Sequence, residues 1–143
     1  MFPQVVVPDT DPQVVVELYL FDTSGQDMFR PMAARHWENA SMLILVYDVT
    51  SPSSFENLEQ WVQHFKTVNP GRPLCGCVVA NKIDLSERIV VPREHGETFA
   101  REHELEFFDA SAQDNVKVDI PFMYVASRFK DMYEERLNDF ASV

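Results

Sequence analysis

Glycine is scarce in this chain of 143 residues, and its placement excludes one common kind of loop. None of the four glycines is followed by lysine; they are Gly25, Gly71, Gly76 and Gly96. A loop of the pattern G-x-x-x-x-G-K-[S/T] holds phosphate groups with its backbone amides and its lysine. Because the lysine is missing after every glycine, no loop of that type occurs in this sequence.

Cysteine is scarcer still, since Cys75 and Cys77 are the only two. Buried free thiols are the ordinary state of cysteine in a reducing compartment. The four histidines are scattered along the chain and add no cluster of metal ligands to the cysteines. We therefore expect two free thiols and no metal site built on them.

Basic residues and long apolar runs are also in short supply. Twelve Lys and Arg against 23 Asp and Glu give a formal net charge of -11, which disfavours binding to nucleic acid and to anionic membranes. The longest apolar run, residues 42–47, is too short to span a bilayer. The first residues lack a signal-peptide pattern and the last five lack a cysteine for prenylation. We expect a cytoplasmic protein without nucleic-acid binding and without a direct membrane anchor.

Apolar runs rich in β-branched and aromatic residues alternate with amphipathic segments. The runs predict strands at residues 14–21, 42–49, 74–80 and 105–108, with residues 5–7 as a hairpin partner of the first. Helical spacing predicts helices over residues 52–69, 92–103 and 119–140. This alternation predicts one α/β domain, a sandwich with an open and mostly parallel sheet.

Two of these helices carry more specific signals. Ser53 and Glu56 fit a capping box, and Pro52 suits the start of a helix. The last helix has a main apolar stripe, made of Phe122, Ala126, Phe129, Tyr133, Leu137 and Phe140. Beside the stripe lie Met123, Val125 and Met132, which either add core contacts or form a second face for a partner.

Polar residues follow three of the predicted strands directly. Asp22, Asn81 and Ser111 each come just after a strand ends. In open α/β sheets, ligands bind beyond the carboxyl ends of the strands. We therefore expect these three residues to direct polar groups toward one edge of the sheet.

Residues 81–84 read Asn-Lys-Ile-Asp after a buried strand. A carboxylate only accepts hydrogen bonds, and guanine offers two adjacent N–H donors that adenine does not offer as a pair. Asp84 would therefore select guanine, while Asn81 would hold the base or brace the loop and the stem of Lys82 would cover the base. The alternative is a simple turn that ends the strand.

Two further motifs complete the candidate site. Backbone amides at Ser111 and Ala112 would reach guanine O6, although the same residues also suit an ordinary turn. Asp22 would hold Mg²⁺ through water, Gly25 would donate its N–H to a γ-phosphate, and Gln26 would orient the attacking water as the catalytic residue. The alternative for residues 22–26 is a polar turn after a strand.

The three motifs in this order resemble the small GTPases of the Ras superfamily, in particular the Rab branch, from residue 5 onward. Four stretches are similar to the Rab-like subunit of the intraflagellar transport B complex: residues 7–10 before residues 16–18, residues 47–50, residues 105–109, and Pro121 with Phe122 at the start of the last helix. The resemblance implies a P-loop NTPase-like three-layer sandwich, GTP or GDP with Mg²⁺, and very slow hydrolysis. It also implies a place in the cilium or flagellum, and a stable pair with a small β-sandwich subunit within a larger transport complex.

The sequence departs from the family pattern in two ways. Gln113 stands where the family has lysine, which removes a possible contact to the base. Only 21 residues precede Asp22, whereas a strand, phosphate loop and helix need roughly 30 residues. Residues 1–143 therefore resemble a partial small-GTPase domain that lacks its first strand and phosphate loop.

The missing first strand and phosphate loop lead to two expectations and two functional hypotheses. In the family the first strand lies in the middle of the sheet, so two strand edges should be unpaired. We also expect this chain to bind GTP weakly and not to hydrolyse it. One hypothesis is a GTP-binding switch of which this sequence is an incomplete product. The other is a nucleotide-free interaction module that keeps a Rab-like surface.

Overall fold

A computed structural model describes residues 2–6, 14–23, 37–38 and 40–141, with the backbone alone for residues 2–6. The chain divides into two compact units, one of Met1–Asp22 with Phe122–Val143 and one of Thr23–Pro121. In chain order the elements are β1 (Phe2–Val6), β2 (Val16–Leu20), β3 (Leu43–Asp48), α1 (Pro52–Glu56), α2 (Leu58–Val68), β4 (Gly76–Asn81), a 3₁₀ turn (Ser86–Arg88), α3 (Arg93–Glu102), β5 (Glu106–Ala110) and α4 (Ile120–Ala141).

The first unit contains the predicted hairpin. Strands β1 and β2 are antiparallel, with Phe2 opposite Leu20 and Val6 opposite Val16. The hairpin is confirmed, but β1 begins earlier than the predicted residues 5–7 because its pairing continues through a proline at position 3. On the inner face of β2, Val16 packs with Ala126 of α4, and both side chains are buried.

The second unit contains a parallel sheet in the order β3-β4-β5. Leu43 lies opposite Gly76 and Asp48 opposite Asn81, while Asn81 also pairs with Ala110. The parallel α/β arrangement predicted from the alternating strands and helices is confirmed. Its strands begin and end within two residues of the predicted bounds.

The core of the second unit lies between this sheet and α1–α3. Tyr47 and Val78 on the sheet and Leu58 and Val62 on the helices are almost fully buried. Gly96 allows α3 to approach the sheet, because a Cβ at this position would collide with the Phe107 ring and the Tyr47 hydroxyl. Close packing at Gly96 therefore holds α3 against β3 and β5, the two outer strands of this sheet.

β2 and β3 each have an open edge in the part of the chain that the structure describes. There β3 pairs only with β4, and β2 pairs only with β1. The expectation of two unpaired strand edges therefore holds for the described strands. Val46, on β3, remains 55% exposed.

The capping box predicted at Ser53 and Glu56 is wrong. The N-cap is Ser51, whose hydroxyl accepts a hydrogen bond from Ser54 N at 3.4 Å. Because Pro52 occupies the first helical position, the residue before it becomes the cap. The predicted single helix is also divided at Asn57 into α1 and α2.

The apolar stripe predicted on α4 is buried only near the start of the helix. Ala126 is buried, but four later members are exposed: Phe129, Tyr133, Leu137 and Phe140. A helix of 22 residues is about 33 Å long, whereas strands of five residues span about 17 Å, so the hairpin cannot cover the whole helix. Val125 is buried and Met123 packs against the core, which favours core contacts over a partner face for these two residues.

Cys75 and Cys77 are both free thiols, as predicted. Cys77 lies on β4 and is fully buried, and this burial raises the pKa of its thiol to about 12. None of the described helices is long and apolar enough to cross a membrane.

Candidate functional site

The candidate site begins where three neighbouring strands end. Asp48 ends β3, Asn81 ends β4 and Ala110 ends β5, and the parallel register places them side by side. Ile83 N donates a hydrogen bond to Ala110 O at 3.3 Å, which ties the loop after β4 to the end of β5. The two loops that carry the predicted base-reading residues therefore leave the sheet together.

Asn81 joins these two loops through its side chain. Its Oδ1 accepts hydrogen bonds from Lys82 N at 2.8 Å and from Ala112 N at 3.1 Å. The two roles predicted for Asn81 were holding the base and bracing the loop, and these hydrogen bonds correspond to bracing the loop. Lys82 follows in the left-handed region with φ 70°, a conformation that is uncommon for a residue other than glycine.

Ser111 holds the carboxylate of Asp84. Its hydroxyl donates to Asp84 Oδ1 at 2.6 Å and accepts a hydrogen bond from Asp114 N at 3.1 Å. Ser111 is only 1% exposed, so its hydroxyl is held in one orientation by these two hydrogen bonds. Asp84 Oδ2 receives no hydrogen bond from any residue in the described ranges and remains available as an acceptor.

The amides predicted to reach guanine O6 have acceptors within the protein. Ser111 N donates to Val116 O at 3.0 Å, in a two-bond bridge that closes the loop after β5. Ala112 N donates to Asn81 Oδ1, so a contact between this amide and guanine O6 requires an exchange of acceptor. Gln113 is exposed in the same loop.

Lys82 is anchored by Asp48, a residue that the sequence motifs did not assign to the site. Lys82 Nζ lies 2.7 Å from Asp48 Oδ2, and Asp48 Oδ1 accepts hydrogen bonds from Thr50 N and Oγ1 at 2.8 and 2.7 Å. Partial burial alone would raise the pKa of Asp48, but the hydrogen bonds from Lys82 and Thr50 outweigh it and lower this pKa to about 2. The local signal was an aspartate followed two residues later by threonine, a pattern typical of side-chain-capped turns.

The remaining predicted site residues are Asp22, Gly25 and Gln26. Asp22 lies in the first unit, just after β2, and is exposed. Gly25 and Gln26 lie outside the described residues. Among the residues that the structure describes, no three His, Cys, Asp or Glu side chains are grouped closely enough to hold a metal ion.

The carboxylate of Asp84 meets one requirement of guanine recognition, an acceptor for its N–H groups. Asp84 presents a fixed carboxylate, and the Lys82 stem extends from the same loop toward its anchor on Asp48. Guanine recognition requires an acceptor pair, which an ionised carboxylate provides.

Comparison with known proteins tests the family resemblance. The sequence profile described as the Ras family matches residues 6–131, which is most of the chain. This protein belongs to the Ras family. The recognition based on residues 22–26, 81–84 and 111–112 is therefore confirmed.

Within the Ras family the chain is Rab-like and similar to proteins of intraflagellar transport. It is 37% identical to the intraflagellar transport protein 27 homolog of Bos taurus, over 97% of this chain and 74% of that protein. It is 38% identical to intraflagellar transport protein 27 of Chlamydomonas reinhardtii, over 95% of this chain and 68% of that protein. It is also 36% identical to the Ras-related protein Rab-13 of Rattus norvegicus, over 78% of this chain and 54% of that protein.

Proposed function

We propose that this Ras-family protein is a Rab-like guanine-nucleotide-binding subunit that acts in intraflagellar transport, in the cilium or flagellum. The observation that carries the nucleotide part is the hydrogen bond from the Ser111 hydroxyl to Asp84 Oδ1, which we call the Ser111 clamp. It fixes one carboxylate oxygen and leaves the other available. The transport part rests on similarity to the intraflagellar transport protein 27 homolog over 97% of the chain.

Base selection follows from the chemistry of Asp84. The N–H groups at N1 and N2 of guanine are adjacent donors, and the two oxygens of an ionised carboxylate accept both. Adenine places an acceptor where guanine has N1–H, so it faces the same carboxylate with a repulsive lone pair. Two hydrogen bonds to a charged group, at about 1.5–3 kcal/mol each, correspond to a guanine preference of roughly 10²–10⁴-fold.

Lys82 contributes by covering the face of the base. Its ammonium group is held by Asp48 at 2.7 Å, so the aliphatic stem between backbone and ammonium is stretched in one direction. A stem fixed before the base arrives loses less rotamer entropy on binding.

The hydrolytic part of the proposal concerns Asp22, Gly25 and Gln26. In a form that also has a phosphate-binding loop, Asp22 would hold Mg²⁺ through water and Gly25 would bind the γ-phosphate. Gln26 would orient the attacking water. We expect hydrolysis to be slow in such a form and absent from the 143-residue chain.

The second candidate is a nucleotide-free interaction module. The observation in its favour is that the sequence contains no G-x-x-x-x-G-K-[S/T] loop. About five charge-assisted phosphate contacts, at about 1.5–3 kcal/mol each, are worth on the order of 7–15 kcal/mol, so their lack leaves millimolar affinity at best. A sub-micromolar dissociation constant of this chain for a fluorescent GTP analogue would contradict the expectation of weak binding.

Titration of the chain with GMP and with AMP tests the proposed base recognition. The two ligands share their phosphate and ribose, so the phosphate contacts cancel in the ratio of the two dissociation constants. Amide shifts in NMR spectra measure millimolar dissociation constants. We expect clear preference for GMP with shifts near Asp84 and Ala112; equal affinity for the two ligands would favour the nucleotide-free module.

For partners, we propose a small β-sandwich subunit in a stable pair, within a larger transport complex. Support comes from the exposed apolar face of α4, formed by Phe129, Tyr133, Leu137 and Phe140. Aromatic residues such as Phe and Tyr are enriched at protein–protein interfaces.

A further inference from the structure

A cluster of charged residues lies around Asp109 on β5, two residues before the Ser111 clamp. Lys117 Nζ contacts both carboxylate oxygens of Asp109, at 2.9 and 3.1 Å, and Arg93 lies 3.1 Å from Oδ2. Burial alone would raise the pKa of Asp109, but the bonds from Lys117 and Arg93 outweigh it and lower this pKa. Asp109 therefore remains ionised at neutral pH and holds two cations.

Arg93 connects this cluster to the rigid part of the second unit. It lies at the start of α3, where its Nε donates to Glu97 at 2.6 Å and its guanidinium lies 4.9 Å from the centre of the Phe107 ring. α3 packs closely on the sheet through Gly96. Asp109 is thus tied on one side to a fixed helix.

Lys117 connects the cluster to the far end of the loop that carries the clamp. The loop begins at Ser111, closes through its bridge to Val116, and is followed at once by Lys117. Asn115 and Lys117 have φ values of 54° and 56°, in the left-handed region that residues with a side chain seldom adopt. Contacts made by the folded chain must therefore hold this loop in its shape.

We propose that Asp109 and Lys117 are positioning residues for guanine recognition: their ion pair fixes the end of the loop, and thereby the setting of Ser111 against Asp84. The inference rests on the proposed function, in which Asp84 reads the base. Neither residue contacts the base itself. The path runs from Lys117 through the Ser111–Val116 bridge to the Ser111 hydroxyl, and from there to Asp84 Oδ1.

The exocyclic amino group of guanine provides a readout that a merely stabilising ion pair would not change. IMP differs from GMP only in lacking this amino group, so the ratio of the two dissociation constants measures how well the second carboxylate oxygen is placed. For the unaltered 143-residue chain we expect GMP to bind about tenfold or more tightly than IMP.

The test compares this ratio in Asp109→Asn, Lys117→Met and the double variant by NMR titration. Each single variant should lower the IMP-to-GMP ratio about threefold or more, and the double variant should lower it no further than Asp109→Asn, because the Asp109–Lys117 ion pair is already lost in that variant, together with the contact between Asp109 and Arg93. Lys117→Arg, which keeps the charge, should retain the ratio of the unaltered chain. Lys130→Met, which breaks the Lys130–Glu134 ion pair on α4, is the matched control and should also retain it.

Folding of each variant is checked by circular dichroism before titration. A ratio that is unchanged in folded Asp109→Asn and Lys117→Met overturns the proposal, even if both variants are less stable. An equal loss in Lys117→Arg and Lys117→Met also overturns it, since charge would then not matter. If the unaltered chain itself does not distinguish GMP from IMP, base reading by Asp84 fails, which separates failure of the proposed function from failure of this inference.

Discussion

At the scale of single residues, the site depends on side chains that already have hydrogen-bond partners within the protein. Ser111 both donates and accepts, so its hydroxyl cannot rotate without losing a hydrogen bond. Asn81 accepts the Ala112 amide that would otherwise be available for guanine O6. Binding of the base would therefore replace one existing hydrogen bond with another, and the Ala112 amide is the most direct spectroscopic probe of that exchange.

The Asp48–Lys82 ion pair predicts a pH dependence of stability. The pKa of Asp48 is lowered from 3.8 to about 2, so the stabilisation is fully present above about pH 4 and is lost as the pH falls through about 2. Asp48→Asn should lower the free energy of unfolding by about 1 kcal/mol at pH 6, a figure reduced for the solvent exposure of Lys82.

Urea unfolding at pH 6 and at pH 2 measures this effect. The difference between Asp48→Asn and the unaltered chain should shrink toward zero at pH 2. Glu87→Gln, an exposed carboxylate in the 3₁₀ turn, is the control and should change the stability little at either pH. A difference that stays the same at both pH values would show that Asp48 does not act through its charge.

At the scale of elements, α3 approaches the sheet at Gly96, next to Tyr47 of β3 and Phe107 of β5. Gly96→Ala would bring a methyl group against Tyr47 and Phe107, so we expect a loss of about 1–3 kcal/mol in the free energy of unfolding. Glu94→Ala on the exposed side of the same helix is the control and should stay within about 0.5 kcal/mol. Urea unfolding at neutral pH measures both; equal stabilities of the two variants would contradict the close packing.

The exposed end of α4 predicts a contact surface for the proposed β-sandwich partner. Leu137 is 50% exposed, and replacing it with glutamine removes apolar surface without disturbing the core. Leu137→Gln should weaken binding to that partner, measured by co-purification, about tenfold, which corresponds to the loss of about 1.4 kcal/mol of apolar contact. Asp139→Gln, a neighbouring exposed position, should not weaken it. Equal recovery of partner with both variants would exclude this face.

At the scale of the whole molecule, sequence patterns predict the order and type of the elements well. The alternation of apolar and amphipathic segments predicts the parallel strands because buried strands and helices differ in length and period. The convergence of Asn81 and Ser111 also follows from sequence, since parallel strands end at a common edge.

The parts that sequence did not predict depend on contacts between distant residues. The exposed stripe on α4 shows that periodicity indicates an apolar face but not how much surface covers it. The anchoring of Lys82 by Asp48 depends on left-handed backbone at Lys82, which local propensity does not favour. The cap at Ser51 depends on the choice among three nearby serines, a choice that the position of Pro52 determines.

Exchange of the base preference tests recognition of guanine by Asp84. Asp84→Asn replaces one acceptor oxygen with an NH₂ donor, which suits the C2 carbonyl of xanthine and not the C2 amino group of guanine. NMR titration of this variant should give weaker binding of GMP and tighter binding of XMP than in the unaltered chain, while Asp114→Asn in the neighbouring loop should change neither. If Asp84→Asn leaves the ratio of GMP to XMP affinity unchanged, Asp84 does not read the base, and this protein does not recognise guanine in the proposed way.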